Sequence, residues 1–187
     1  MEQYSGLANQ QGVVNVSDVT EAEIGWLAGM IDGEGNISCG LRQNDNGAKY
    51  LDVKVRISGT DIRMMHHVGS IYERLGLVFF NSLMNKNKAE WKTGLNVEVS
   101  RQGSTLKLLK IIAPYLKGKN LVAESLIRVI EYVKSVPAAG NGTRRDYAEH
   151  PEFKQLLADY MYEHTWYYDP STTTRRAGEA ISLDGIV

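Results

Sequence analysis

Cysteine is almost missing from this chain: Cys39 is the only one in 187 residues. No intramolecular disulfide can form, and a reducing intracellular setting is expected. Long apolar runs are missing too, since no stretch reaches the roughly 18 residues of a membrane-spanning helix. No membrane partner is therefore expected. The start of the chain lacks a basic segment followed by an apolar one, so no secretory signal is expected either. Lysine and arginine are absent from residues 1–35, which hold six acidic residues. The formal net charge is −1, without the strong basic excess of many nucleic-acid-binding domains. That total conceals a partition. Residues 36–119 hold 14 basic against six acidic residues, and residues 120–187 hold seven against ten. The basic middle can grip phosphates if its charges share a face, and is an ordinary solvated surface if they are scattered.

What is present fits one domain with a substantial core, at 43% hydrophobic content. Residues 1–19, rich in Gln, Asn, Gly and Ser, are read as a flexible arm. The folded domain is placed at 20–170, with a loop or tail at 171–187. Ser17, Asp18 and Thr20 offer N-caps, and Thr20 with Glu23 has capping-box spacing. Ile24, Leu27, Met30 and Ile31 then follow helical spacing, so a helix is expected over about 20–33.

After Gly35 the period changes to two. Ile37, Cys39 and Leu41 alternate with polar residues, as do Leu51, Val53, Val55 and Ile57. Two half-buried strands are expected, joined at Asn44-Asp45-Asn46-Gly47. Their polar face would carry Ser38, Arg42, Lys54 and Arg56. Asp61 caps a second helix over about 61–75, ended by Gly76. Leu77–Met84 and Leu95–Ser100 read as a second strand pair. Ser104 begins a helix interrupted near Pro114, and further helices cover 120–135 and 151–168. Helices segregated to one side of an antiparallel sheet make an α+β plan.

The first helix is unusual. Gly25, Gly29 and Gly33 recur every fourth residue inside an apolar pattern, and each interior glycine costs roughly 1 kcal/mol relative to alanine. Four-residue spacing places them on one face, where another backbone can approach closely. The helix then ends in two acids, Asp32 and Glu34.

Leu27-Ala28-Gly29-Met30-Ile31-Asp32-Gly33-Glu34-Gly35 resembles the motif of the LAGLIDADG homing endonucleases, sharing its first three residues, its sixth and its ninth. The order of elements over roughly residues 20–176 is also similar to single-motif members. The resemblance implies an αββαββα fold whose saddle-shaped sheet lies in the DNA major groove. It implies a homodimer as well, because one motif per chain supplies one half of a two-fold site. The expected interface is Gly25, Trp26, Ala28, Gly29, Met30 and Gly33.

By the same resemblance, Glu34 binds the catalytic divalent ion and the carbonyl of Gly33 completes its coordination. Mg²⁺, replaceable by Mn²⁺ or Ca²⁺ for binding, suits such oxygen donors. Asp32 is either a helix-end structural acid or a second ligand. Arg63 and Lys119 match catalytic cations around the scissile phosphate, which would stabilise its developing charge. Gly59 occupies a position where some relatives carry a water-positioning polar side chain.

For DNA recognition, Arg42, Asn44, Arg56 and Ser58 are candidate readers of base edges, with Ser38 a further DNA-binding residue on that face. Lys49, Lys54, Lys86, Lys88 and Lys92 are candidate phosphate contacts or plain solvated lysines, and Lys117 is a further candidate DNA-binding residue. Thr173 and Arg175 lie in a segment similar to a C-terminal phosphate-contacting loop, or else in a tail. The adjacent His66 and His67 have no partners at zinc spacing and read as packing or surface residues. Tyr160, Tyr162 and Trp166 read first as the buried face of a terminal helix.

The expected activity is metal-dependent hydrolysis of both strands of a long, nearly palindromic double-stranded DNA site, leaving short 3′ overhangs. The alternatives are an intron RNA maturase and a DNA-binding protein that does not cleave.

Overall fold

The computed structural model describes residues 18–45, 47–84, 92–137 and 146–168. Nearly all of the expected N-terminal arm lies outside them, as do Lys86, Lys88, Thr173 and Arg175.

The element order is α1 (Glu21–Glu34), β1 (Gly35–Gln43), β2 (Lys49–Gly59), α2 (Ile62–Arg74), β3 (Phe80–Leu83), β4 (Leu95–Val99), α3 (Gln102–Ile112), α4 (Asn120–Ser135) and α5 (Pro151–Tyr168). This is the expected αββαββα order with additional C-terminal helices. A 3-10 turn at Ala113–Tyr115 follows α3, where Pro114 removes a backbone donor. The four strands form one antiparallel sheet in the order β1-β2-β4-β3.

Alternation sets the two faces of that sheet. Ile37, Leu51, Val53, Val55, Ile57, Val97 and Val99 are buried on one face. α1, α2 and α3 pack on it, contributing Leu27 and Ile31, then Met65, Val68 and Ile71, then Leu108 and Leu109. Each such fully buried aliphatic side chain stabilises the fold by about 1.5–3 kcal/mol relative to exposure. Tyr160 of α5 is buried, as its helical position implied, and its hydroxyl donates to the Ile37 carbonyl at 3.1 Å. The Leu51 amide donates to the Tyr147 hydroxyl at 2.6 Å, which ties the segment before α5 to the sheet.

The caps follow local sequence. Thr20 and Glu23 form the reciprocal capping box, with the Thr20 amide 2.9 Å from the Glu23 carboxylate and the Glu23 amide 3.2 Å from the Thr20 hydroxyl. Arg74 also grips that carboxylate, which holds Glu23 far below the usual range, at about 2. Asp61 accepts from the amides of Arg63 and Met64 and so starts α2. Gly76, at φ +63°, ends it.

Candidate active site and nucleic-acid interface

α1 passes into β1 with no intervening residue: Glu34 ends the helix and Gly35 begins the strand. A Cβ at Gly35 would lie 2.7 Å from both the Cα and the carbonyl oxygen of Ile31. Only glycine permits this approach, which explains the last residue of the motif. The Gly35 amide donates back to the Ile31 carbonyl.

The loop before α4 clasps this junction. The Asp32 carboxylate accepts from the amides of Lys117 at 2.7 Å, Gly118 at 3.2 Å and Lys119 at 2.9 Å. Lys119 reaches back with its ammonium to the carbonyls of Ile31 at 2.7 Å, Asp32 at 2.7 Å and Gly35 at 2.8 Å. Its side chain is buried, with the residue only 2% exposed. Burial pulls its pKa below the ordinary lysine value, against the opposing fields of Asp32 and Glu34. The expected partner of Lys119 is a phosphate; its ammonium is instead directed at backbone oxygens. Asp32 takes the structural alternative, as an acceptor for three amides.

The Glu34 residue is exposed, and its carboxylate makes no hydrogen bond or ion pair among the described residues. Arg63, in the first turn of α2, has a side chain 96% exposed and is only loosely associated with Asp61, at 3.9 Å. A side chain at Gly59 would require the Met65 side chain to shift, because its Cβ would lie 2.9 Å from the Met65 sulfur.

The residues offer hard oxygen donors where a divalent cation is expected, namely an exposed carboxylate and, one residue before it, the Gly33 carbonyl. No group of three or more His, Cys, Asp or Glu side chains able to hold a metal exists among the described residues. One chain thus supplies a partial donor set, which fits a six-coordinate ion only if oxygens from elsewhere complete it.

The free face of α1 is Ala22, Trp26, Gly29 and Gly33, all exposed at spacings of four, three and four. The small residues of this stripe leave room for another backbone to approach closely. A Cβ at Gly25, Gly29 or Gly33 would meet nothing within 4 Å. Trp26 lies in that stripe and packs against His67, with ring centroids 4.9 Å apart. Met30 and Gly25 flank it, half-buried. Ala28, expected at the interface, is fully buried in the chain's own core. It shares the apolar face of α1 with Leu27 and Ile31, opposite the exposed stripe.

The outer sheet face carries Ser38, Arg42, Lys54, Arg56 and Ser58 as the alternation requires, and β1 and β2 enclose a shallow concavity of about 470 Å³ there. Two carboxylates, Asp52 from the β2 alternation and Glu98 of β4, share this face with the cations. Asp52 holds Arg42 at 2.5 Å and Lys54 at 3.5 Å, and Glu98 of β4 holds Arg56 through Nε at 2.7 Å. Glu98 is the one not expected from the sequence, and the period-two pattern of β4 holds the signal, since Glu98 alternates with the buried Val97 and Val99. Ser58 donates to Asn96 at 2.7 Å, and the Asn96 amide reaches Ser82 at 3.4 Å. Lys49 belongs to the other face, in phase with Leu51, and its ammonium bonds Glu149 at 2.9 Å. Asn44 builds the hairpin, its side chain accepting from the Ala48 amide at 2.8 Å. Lys92 and Lys117 are exposed.

Among solved structures, the homing endonuclease I-CvuI in complex with DNA matches with a TM-score of 0.58 and 13% identity, covering 89% of this chain and 90% of that one. The archaeal intron-encoded homing endonuclease I-Vdi141I complexed with DNA gives 0.52 and 16%, covering 89% and 92%. The LAGLIDADG meganuclease I-CpaMI bound to uncleaved DNA gives 0.53 and 12%, covering 73% of this chain and 42% of that one. No protein-family model matches the sequence, and no curated protein matches it. The fold is that of the LAGLIDADG homing endonucleases. Among the described residues, no helix is long and apolar enough to cross a membrane.

Proposed function

We propose that the chain is a site-specific DNA endonuclease of the LAGLIDADG type, acting as a homodimer with Mg²⁺ on a long, nearly palindromic double-stranded site, and leaving short 3′ overhangs. The observation that carries this reading is the junction at Gly35. It puts an unpaired carboxylate, Glu34, where an open helix seam meets the start of a concave, cation-bearing sheet face.

Several features support the parts. The exposed stripe Ala22-Trp26-Gly29-Gly33 lets a second α1 approach closely, and each copy would bring its own Glu34 to the seam. This chain spans nine-tenths of I-CvuI but under half of I-CpaMI, as one half of a two-fold arrangement would. Each sheet could follow about one turn of duplex, roughly 10 base pairs, so two copies would cover about 20. On the outer face, Arg42 and Arg56 suit guanine edges, with Ser38 and Ser58 as further base-edge contacts. Lys54, Lys92 and Lys117 suit phosphates.

Glu34 and the Gly33 carbonyl would hold the divalent ion, which when bound supplies Lewis-acid stabilisation of the phosphate and a more acidic water. Arg63, free of a close partner, can reach a phosphate and balance charge that develops during in-line displacement. DNA docked on the sheet would exclude bulk water from the junction and align the phosphodiester with Glu34.

The test is cleavage of a duplex selected from a random pool by the chain itself. With Mg²⁺, the native protein should cut both strands, and Glu34→Gln should lose on the order of a thousandfold in rate while retaining DNA affinity. Binding by the native protein without cutting would replace this reading with that of a non-cleaving DNA-binding protein. Preference for structured intron RNA over every duplex would instead favour a maturase.

A further inference from the structure

We propose that Lys119 and Asp32 are positioning residues, which together fix the last turn of α1 so that the Gly33 carbonyl and the Glu34 carboxylate stay presented to one ion. This rests on the metal-dependent reading above. A helix ends with four carbonyls lacking intrahelical partners, and the negative end of its dipole attracts a cation. Here one buried ammonium meets part of that need. It takes the carbonyls of Asp32 and Gly35, shares the Ile31 carbonyl with the Gly35 amide, and passes over those of Gly33 and Glu34.

The tie runs in both directions. The Lys119 amide donates to the Asp32 carboxylate, while its ammonium donates to the Asp32 carbonyl, so Asp32 is gripped at both ends by one residue. The neighbouring amides of Lys117 and Gly118 complete the hold on the carboxylate. An ammonium has three protons, and three carbonyls lie within 2.8 Å of this one. Its chemistry is therefore spent on shaping the backbone around Gly33, at a residue 2% exposed. A phosphate contact by the same group would require withdrawing it from the junction.

The measurement is Ca²⁺ binding by calorimetry to the protein on its selected duplex, for the native chain, Lys119→Met and Asp32→Asn. Both substitutions should weaken Ca²⁺ binding by roughly tenfold or more, as loss of groups that orient a ligand does. Both should also raise the Mg²⁺ concentration needed for half-maximal cleavage, with metal-free DNA affinity unchanged within about threefold. If Lys119 instead serves the phosphate, Lys119→Met will keep native Ca²⁺ affinity and lose DNA affinity or maximal rate, and the proposal is overturned. Should Lys119→Met fail to fold, Asp32→Asn decides, since it keeps the shape and one acceptor oxygen. Native Ca²⁺ affinity in that folded variant overturns the proposal while leaving the nuclease reading intact. A native protein that takes up no Ca²⁺ overturns the metal reading itself, and this inference with it.

Discussion

The end of α1 and the outer face of the sheet meet at Gly35, yet they are held by opposite means. At the helix end, backbone groups set the geometry: a glycine too close to Ile31 for any Cβ, a carboxylate on three amides and an ammonium on three carbonyls. On the outer face, side chains pair across strands whose register is set by the aliphatic residues beneath them. The first region tolerates little change because moving one group leaves several buried ones unpaired. The second can exchange its side chains while the sheet stays in place. A nuclease built this way would keep its chemistry constant while its base preferences vary.

The strongest way to break the contrast is Gly35→Ala, which should cost about 2–3 kcal/mol by forcing α1 away from β1. Denaturant unfolding would show it, and a loss below about 0.5 kcal/mol would mean that the junction is slack. Glu98→Gln should cost less than about 1 kcal/mol, because the Arg56 pair is partly exposed and solvent-screened. Its larger effect should be on DNA, where removing a negative charge and loosening Arg56 should raise affinity for random duplexes severalfold and lower the ratio of selected to random binding. Unchanged binding ratios would make that pair a sheet fastener alone. Ser58→Ala should alter stability by under about 0.5 kcal/mol and show itself only in base preference.

The start of α1 offers a pH-dependent counterpart. Glu23 has its pKa depressed from the ordinary 4.5 to about 2, chiefly by Arg74 and the Thr20 amide. A depressed carboxylate stabilises the fold above its unfolded pKa, and the benefit drains away as pH falls toward the folded value. Native protein should therefore melt above Glu23→Gln at neutral pH, and the gap should close between about pH 4.5 and about 2. A gap that persists at the acid end would assign the effect to packing rather than charge.

Local pattern makes most of the fold legible in the chain itself. The capping box, the switch of period after Gly35 and the glycine ending α2 are short-range signals, and each corresponding element forms. The motif also locates the junction of helix and strand. The setting of Lys119 is not legible, because its partners lie more than 80 residues away and a basic residue beside a motif acid reads equally as a phosphate contact. Ala28 falls in the core because helical spacing puts it on the apolar face with Ile24, Leu27 and Ile31, opposite the exposed stripe. Lys49 departs from the expected phosphate contact, although its phase with Leu51 and Val53 already puts it on the side of the sheet away from the outer face.

The direct passage of α1 into β1 gives the molecule a lever without a joint. A loop between helix and strand would absorb rotation, but here Glu34 and Gly35 are consecutive and the Asp32–Lys119 tie stiffens the bend. A change in the crossing angle of a partner helix seated on the exposed stripe of α1 would therefore be carried into the strand whose outer face bears Ser38 and Arg42. Substitutions at Trp26 or Gly29 would retune the angle at which the chain meets its ligand without touching a single side chain on the sheet.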